Sequence, residues 1–172
     1  MNLSLKYKID TTNKEEIMPN HCYNRVTIYP TGHNEASSLD QIETLKDIFE
    51  GEKIFPQIIP EPDWANTPLM SNDMKPYALQ KGNIGELPVD GRFQSTDLQD
   101  DRWYDWRVQN WDTKWDAYDL TVVDDDPDQL EVTFNTAWSP PEAICSKIRE
   151  DYPDVSVSWF YDEPGCEIAG YL

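Results

Sequence analysis

The chain has 172 residues, with 14 Lys and Arg against 33 Asp and Glu for a net charge of −19; a field of that sign repels a phosphate backbone, which excludes direct nucleic-acid binding. Seven Trp, nine Tyr and five Phe supply enough large apolar surface for a folded core, which excludes a purely solvating acidic tail. Cys22, Cys145 and Cys166 are widely spaced with no CxxC pair, which excludes a disulfide framework and a zinc site, and no apolar run has the length of a signal peptide or membrane span, so a cytoplasmic location is expected.

In chain order, residues 1–17 read as a polar N-terminal tail and 18–172 as a single domain, the default for this length. Asn24 to Tyr29 alternates Val26 and Ile28 inward with Arg25 and Thr27 outward, the period of a half-buried strand, and ends at Pro30-Thr31-Gly32. Ser38 is the expected N-cap of a helix carrying Leu39, Ile42, Leu45, Ile48 and Phe49 on one face and Glu43 and Asp47 on the wet face, with Gly51 ending it. Around 54–97 the texture turns to Pro, Gly, Asn and Asp, a long loop-rich insertion in which FPQIIPEPDW is the one stretch suited to a short edge strand. Ser95-Thr96-Asp97 then offers an N-cap for a helix that holds Asp100, Asp101 and Asp105 near its positive end and Trp103, Trp106 and Asn110 at helical spacing.

The remainder has a regular rhythm. Ala117 to Val123 reads as a strand, the DDDPD run as a turn, and Gln129 to Ala137 as a strand with Leu130, Val132 and Phe134 on one face. Ser139 is the expected cap of a helix with Pro140 and Pro141 in its first turn and Ala143, Ile144, Ile148 and Tyr152 on its buried side. Val155, Val157 and Trp159 alternate as another strand, Glu163-Pro164-Gly165 turns, and Cys166 to Tyr171 returns. Together these elements predict an α+β fold of ferredoxin-like type, a mainly antiparallel sheet with helices packed on one face.

Two readings fit WRVQNWDTKWDAYD, residues 106–119. As a candidate pocket, Asn110 and Lys114 orient an anion or carbonyl while Trp111 and Trp115 stack on it, with Trp138 and Glu163 completing the cleft. As a packing hub, the helix ends near Trp111, Asp112 takes a left-handed turn, the Trp rings roof the sheet, and Lys114 neutralises Asp112, Asp116 or Asp119. At Trp138-Ser139-Pro140-Pro141 an anion site at exposed helix amides competes with plain capping by Ser139, and the acidity nearby favours capping. The Asp124-Asp125-Asp126-Pro127-Asp128 turn lacks the Gly and distal Glu of a calcium loop, so no metal is expected there. His21 and Cys22 are neighbours on what reads as extended chain, point to opposite faces, and make a poor base and nucleophile pair. With two histidines and no GxSxG, HExxH, Walker loop or GxGxxG, no catalytic residues and no cofactor are assigned.

Four ordered motifs carry a resemblance. MPNHCYNRVTI (18–28), NWDTKWDAYD (110–119), FNTAWSPP (134–141) and YDEPG (161–165) are similar to segments of the family with a YubB-type ferredoxin-like domain, found in phages, plasmids and bacteria. That family usually has Gly where this chain has Asp112. The resemblance implies the ferredoxin-like fold and a mobile-element origin, and it supplies no catalytic residues.

Residues 99–172 hold 5 basic and 18 acidic side chains, so thirteen of the nineteen excess negatives lie there. Acidity combined with a mobile-element resemblance leads to the expectation of a non-enzymatic inhibitor. It would bind a basic host protein, such as a defence nuclease or its complex, with carboxylates standing in for DNA phosphates. Asp124, Asp125, Asp126, Asp128, Glu150, Asp151 and Asp154 are the expected partner-binding face. The alternative, of a different class, is an enzyme or small-ligand binder using the Trp-rich cleft around Asn110 and Lys114, and it requires those side chains to converge on an open pocket.

Overall fold

The structure, a computed structural model, describes residues 20–64, 66–67, 69–70, 92–93, 102–123, 126 and 128–172. The tail 1–17, the cap at Ser95-Thr96-Asp97, and Asp100 and Asp101 lie outside the described residues, as does much of the 54–97 insertion.

The described elements run β1 (His21–Pro30), α1 (Glu35–Glu50), α2 (Phe55–Ile58), β2 (Leu69–Met70), β3 (Arg92–Phe93), α3 (Arg102–Asn110), β4 (Tyr118–Val123), β5 (Leu130–Ala137), α4 (Glu142–Asp151), β6 (Val155–Glu163) and β7 (Ile168–Tyr171). Five strands form one sheet in the order β4-β5-β1-β6-β7, every pair antiparallel, and β2 and β3 form a separate two-stranded ribbon. The α+β, ferredoxin-like expectation holds.

β1 is the spine because both its edges are paired, with β5 on one side and β6 on the other. Period-two alternation assigns its faces: Cys22, Asn24, Val26 and Ile28 are buried under the helices while His21, Tyr23 and Arg25 look outward. Even-numbered positions of β5 and Val155, Val157 and Trp159 of β6 join the same core. Against them pack Ile42, Leu45 and Phe49 of α1, Phe55 and Ile58 of α2, Ile144 and Ile148 of α4, and Trp111. Asn24 and Thr136 are polar members of this core, and hydrogen bonds explain why: Asn24 Nδ2 donates to the Cys22 carbonyl and Thr136 Oγ1, and its Oδ1 accepts from Trp159 Nε1 at 3.0 Å.

Three local expectations are corrected. FPQIIPEPDW contributes a short helix, α2, in place of an edge strand: both Asp116 carboxylate oxygens accept from this segment, Oδ2 from Ile54 N at 3.0 Å and Oδ1 from Phe55 N at 2.9 Å, and Pro56 sits in the first turn where its missing amide costs nothing. The cap of α1 is Asn34, which accepts from Ser37 N, whereas Ser38 is buried and donates to the Asn34 and Asp154 carbonyls. Ser139 does not cap α4; its hydroxyl donates to the Asp112 carbonyl, and Asp112 Oδ2 takes the Ala143 amide at 2.8 Å. At α2 and α4 a carboxylate distant in sequence satisfies the first-turn amides, whereas at α1 the cap is local but is Asn34 instead of Ser38. Gly51 ends α1 as expected, and a Cβ there would have to displace the Gln57 side-chain amide, 2.8 Å away, and crowd the Ile48 carbonyl at 3.1 Å.

Candidate functional site

The 110–119 segment resolves residue by residue into a hub. Asn110 Nδ2 turns back to the Trp106 carbonyl. Trp111 is fully buried, edge-on to Phe55 and Trp106, with Nε1 donating to the Ile59 carbonyl at 3.0 Å. Asp112 is left-handed, φ 63°, as expected; a glycine would adopt this conformation freely but would have no side-chain oxygen to accept from the α4 amide. Thr113 exchanges hydrogen bonds with the Ala137 backbone through its hydroxyl, which pins the hub to the end of β5. Asp116 is buried enough that its carboxyl is pushed up from the usual range, although three backbone amides, those of Phe55, Ala117 and Ile54, pull the other way.

Lys114 is where the hub departs from expectation. Its ammonium pairs with no carboxylate among the described residues: Asp112 and Asp116 are engaged by amides, and Asp119 accepts from Asn135 Nδ2. Instead Nζ sits 4.1 Å from the Trp115 ring centroid and 3.9 Å from that of Trp138. The quadrupoles of two indoles offset part of the cost of removing the charge from water. Burial still lowers the amine's pKa. Trp138 reaches this position from a left-handed backbone, φ 70°, a conformation costly for a bulky side chain, and its amide is tied to the Asn20 carbonyl at 2.9 Å.

Of the six candidate pocket residues, Trp111 and Glu163 are wholly buried and Lys114 nearly so, whereas Trp115 and Trp138 are partly exposed. Glu163 Oε2 accepts from the Cys166 amide and staples the β6–β7 turn, while Oε1 is buried with no partner among the described residues. Lys114, Trp115 and Trp138 meet, whereas Trp111 and Glu163 are sealed from solvent and Asn110 is turned back on its own helix.

The seven expected partner-binding acids fare differently. Asp124 and Asp125 lie outside the described residues. Asp126 and Asp128 are exposed in the β4–β5 turn, where Asp126 Oδ1 accepts from the Asp128 amide. Glu150 and Asp151 are exposed at the end of α4 and share Lys147, at 3.1 and 2.7 Å. Strand register brings these groups to one end of the sheet, since Leu130 pairs with Ile28 and Val155 with Pro30. Asp154, also at that end, is half-buried and works as a joint: its carboxylate accepts from Ser37 Oγ and Gln41 Nε2, and its carbonyl from Thr31 and Ser38.

One acidic feature was only half visible in the sequence. Asp40, Glu43, Asp47 and Glu50 are all exposed on α1, and steps of three, four and three residues align them along one helix face. None of the four is held by an ion pair among the described residues. Glu43 and Asp47 were assigned to the wet face, and the same helical period reaches the other two.

Among the described residues there is no group of three or more His, Cys, Asp or Glu placed to hold a metal ion, and no helix is long and apolar enough to cross a membrane. No curated protein matches the chain. A crystal structure of protein api92 from Yersinia pseudotuberculosis is similar at 12% identity and a TM-score of 0.46, covering 89% of this chain and 93% of that one. Residues 110–172, from the hub to the last strand, match the family model described as the ferredoxin-like domain in Api92-like protein.

Proposed function

We propose that this chain is a non-enzymatic acidic binding protein that docks a basic, nucleic-acid-handling host protein by presenting carboxylates in place of phosphates. The observation that carries this reading is the α1 ridge. With a rise of about 1.5 Å per residue, four carboxylates over ten residues give roughly one charge per 5 Å, against about one per 3.4 Å along a DNA strand. The ridge is built on a helix whose opposite side is locked in the core through Ile42, Leu45 and Phe49, so its charges are held in a line before any partner arrives, which lowers the ordering cost of binding. The acids at the sheet end, Asp126, Asp128, Glu150 and Asp151, extend the negative field, moderated there by Lys147. The resemblance of the four motifs to the YubB-type family supports this reading, since it implies a mobile-element origin, for which a host defence nuclease is a fitting target.

The test is retention of basic host nucleases on immobilised protein, eluted by salt and by competing duplex DNA. Neutralising the ridge with Asp40→Asn, Glu43→Gln, Asp47→Asn and Glu50→Gln should release the partner and flatten the salt dependence. Full retention by that variant would overturn the proposal.

A further inference from the structure

The sheet face opposite the helices carries a recess that the acidic reading does not use. Its origin lies in the register. Across β1, β6 and β7, Arg25 pairs with Phe160 and Phe160 with Tyr171, a row of three bulky side chains. Two residues further along the same face, Thr27 pairs with Ser158, and β7 has ended. Adjacent rows on one face are about 7 Å apart and adjacent strands about 4.8 Å, so a row of small hydroxyls beside a tall row leaves a depression. The structure has a recess of about 310 Å³ there, lined by Arg25, Thr27, Ser158, Phe160 and Tyr171.

The lining is chemically specific. Phe160 and Tyr171 meet edge-on with centroids 5.4 Å apart, and Tyr171 is 73% exposed, an aromatic surface left open. Glu131 grips one edge of the guanidinium, accepting from Arg25 Nε at 3.1 Å and Nη2 at 3.4 Å. That contact fixes the plane of the fork and leaves Nη1 without a partner among the described residues. The Thr27 and Ser158 hydroxyls likewise make no side-chain hydrogen bond among the described residues. Three sets of unengaged donors beside an aromatic wall suit a flat ligand whose edge accepts hydrogen bonds. Because Glu131 balances Arg25 and the protein carries −19, the site disfavours a dianion.

We propose that this recess binds a small flat ring bearing two adjacent hydrogen-bond acceptors, the chemistry shared by the O6/N7 edge of guanine and by an aromatic carboxylate, with Arg25 reading the acceptor pair and Tyr171 stacking on the ring. The site is independent of the α1 ridge, so either proposal can fail without the other.

The experiment is a titration of the full chain, followed by amide chemical shifts, with guanosine, adenosine, guanosine monophosphate and benzoate. Saturating shifts at Thr27, Ser158 and Tyr171 are expected with guanosine or benzoate and not with adenosine, whose major-groove edge pairs an acceptor with a donor. Guanosine alone identifies a purine site and benzoate alone a carboxylate site, and guanosine monophosphate should bind more weakly than guanosine. Arg25→Lys, which keeps the charge and loses the fork, should weaken binding about tenfold or more, and Tyr171→Ala similarly. Both positions are exposed, and an unchanged thermal midpoint will confirm that the variants fold. No saturating shifts at these residues, equal binding of adenosine, or wild-type affinity in both variants would overturn the proposal.

Discussion

The 110–119 hub and the α1 ridge contain the same residue types in opposite circumstances. In the hub, Asp112 and Asp116 are held by backbone amides and Lys114 is shut between two indoles. On the ridge, Asp40, Glu43, Asp47 and Glu50 face water with no ion pair among the described residues. A carboxylate in the first region contributes to the fold because a buried amide without it would be orphaned. In the second it contributes only field. Substitutions should therefore separate the regions cleanly: stability answers to the hub, partner binding to the ridge.

The largest effect should come from Trp111→Ala, which empties a fully buried site packed on Phe55 and Trp106; a loss of about 3–5 kcal/mol is expected in denaturant unfolding. A loss below about 1 kcal/mol would mean the hub is not the structural centre argued above. Next, Asp116→Ala should cost about 2 kcal/mol by stranding the Ile54 and Phe55 amides. Because the Asp116 carboxyl is pushed up in the fold, the native state binds its proton more tightly than the unfolded chain does. Its ionisation therefore weakens the fold as pH rises from the ordinary carboxyl range through the raised value, and Asp116→Asn should remove that slope.

A third expectation concerns alkali. Burial under the helices pushes the Cys22 thiol from 9.0 up to about 11. The folded-state pKa lies above the unfolded one, so stability is complete below about 9 and falls as pH climbs towards 11. The loss should be roughly 1–2 kcal/mol after allowance for solvent screening. Comparing the pH dependence of unfolding for the wild type and Cys22→Ala isolates it from the tyrosines and lysines that titrate nearby.

Lys114→Met retains an apolar stem and discards the charge, and a loss of about 1 kcal/mol would register the double cation–π contact. A gain in stability would instead show that desolvation outweighs the indoles. Smallest of all, each neutralisation on the ridge should change stability by no more than about 0.5 kcal/mol. A large loss there would erase the distinction between the two regions, because it would give the ridge a structural duty.

Much of this molecule was legible before the structure. The alternation in Asn24–Tyr29 and Gln129–Ala137 identified β1 and β5, and the helical spacing of Ile42, Leu45 and Phe49 identified α1 and its buried side, because periodicity reports directly which face meets the core. The errors fell on helix starts. Ser38 and Ser139 are good capping residues by type, yet Asn34 and Asp112 perform those roles, and Asp116 converts an expected edge strand into α2. Only Asn34 was near enough in sequence to be weighed against its rival. The choice between pocket and hub for Asn110, Trp111 and Lys114 was closed to sequence for a related reason, since aromatic spacing cannot say that Trp111 is buried while Trp115 and Trp138 keep open faces.

The sequence alone thus determined the fold class, the acidic field and the inward face of each long element, all properties of local period and composition. Tertiary structure decided which carboxylates are engaged and which are free, and where Arg25, Phe160 and Tyr171 meet. Those outcomes depend on partners up to 146 residues apart in the chain, brought together by strand register, which no local pattern encodes.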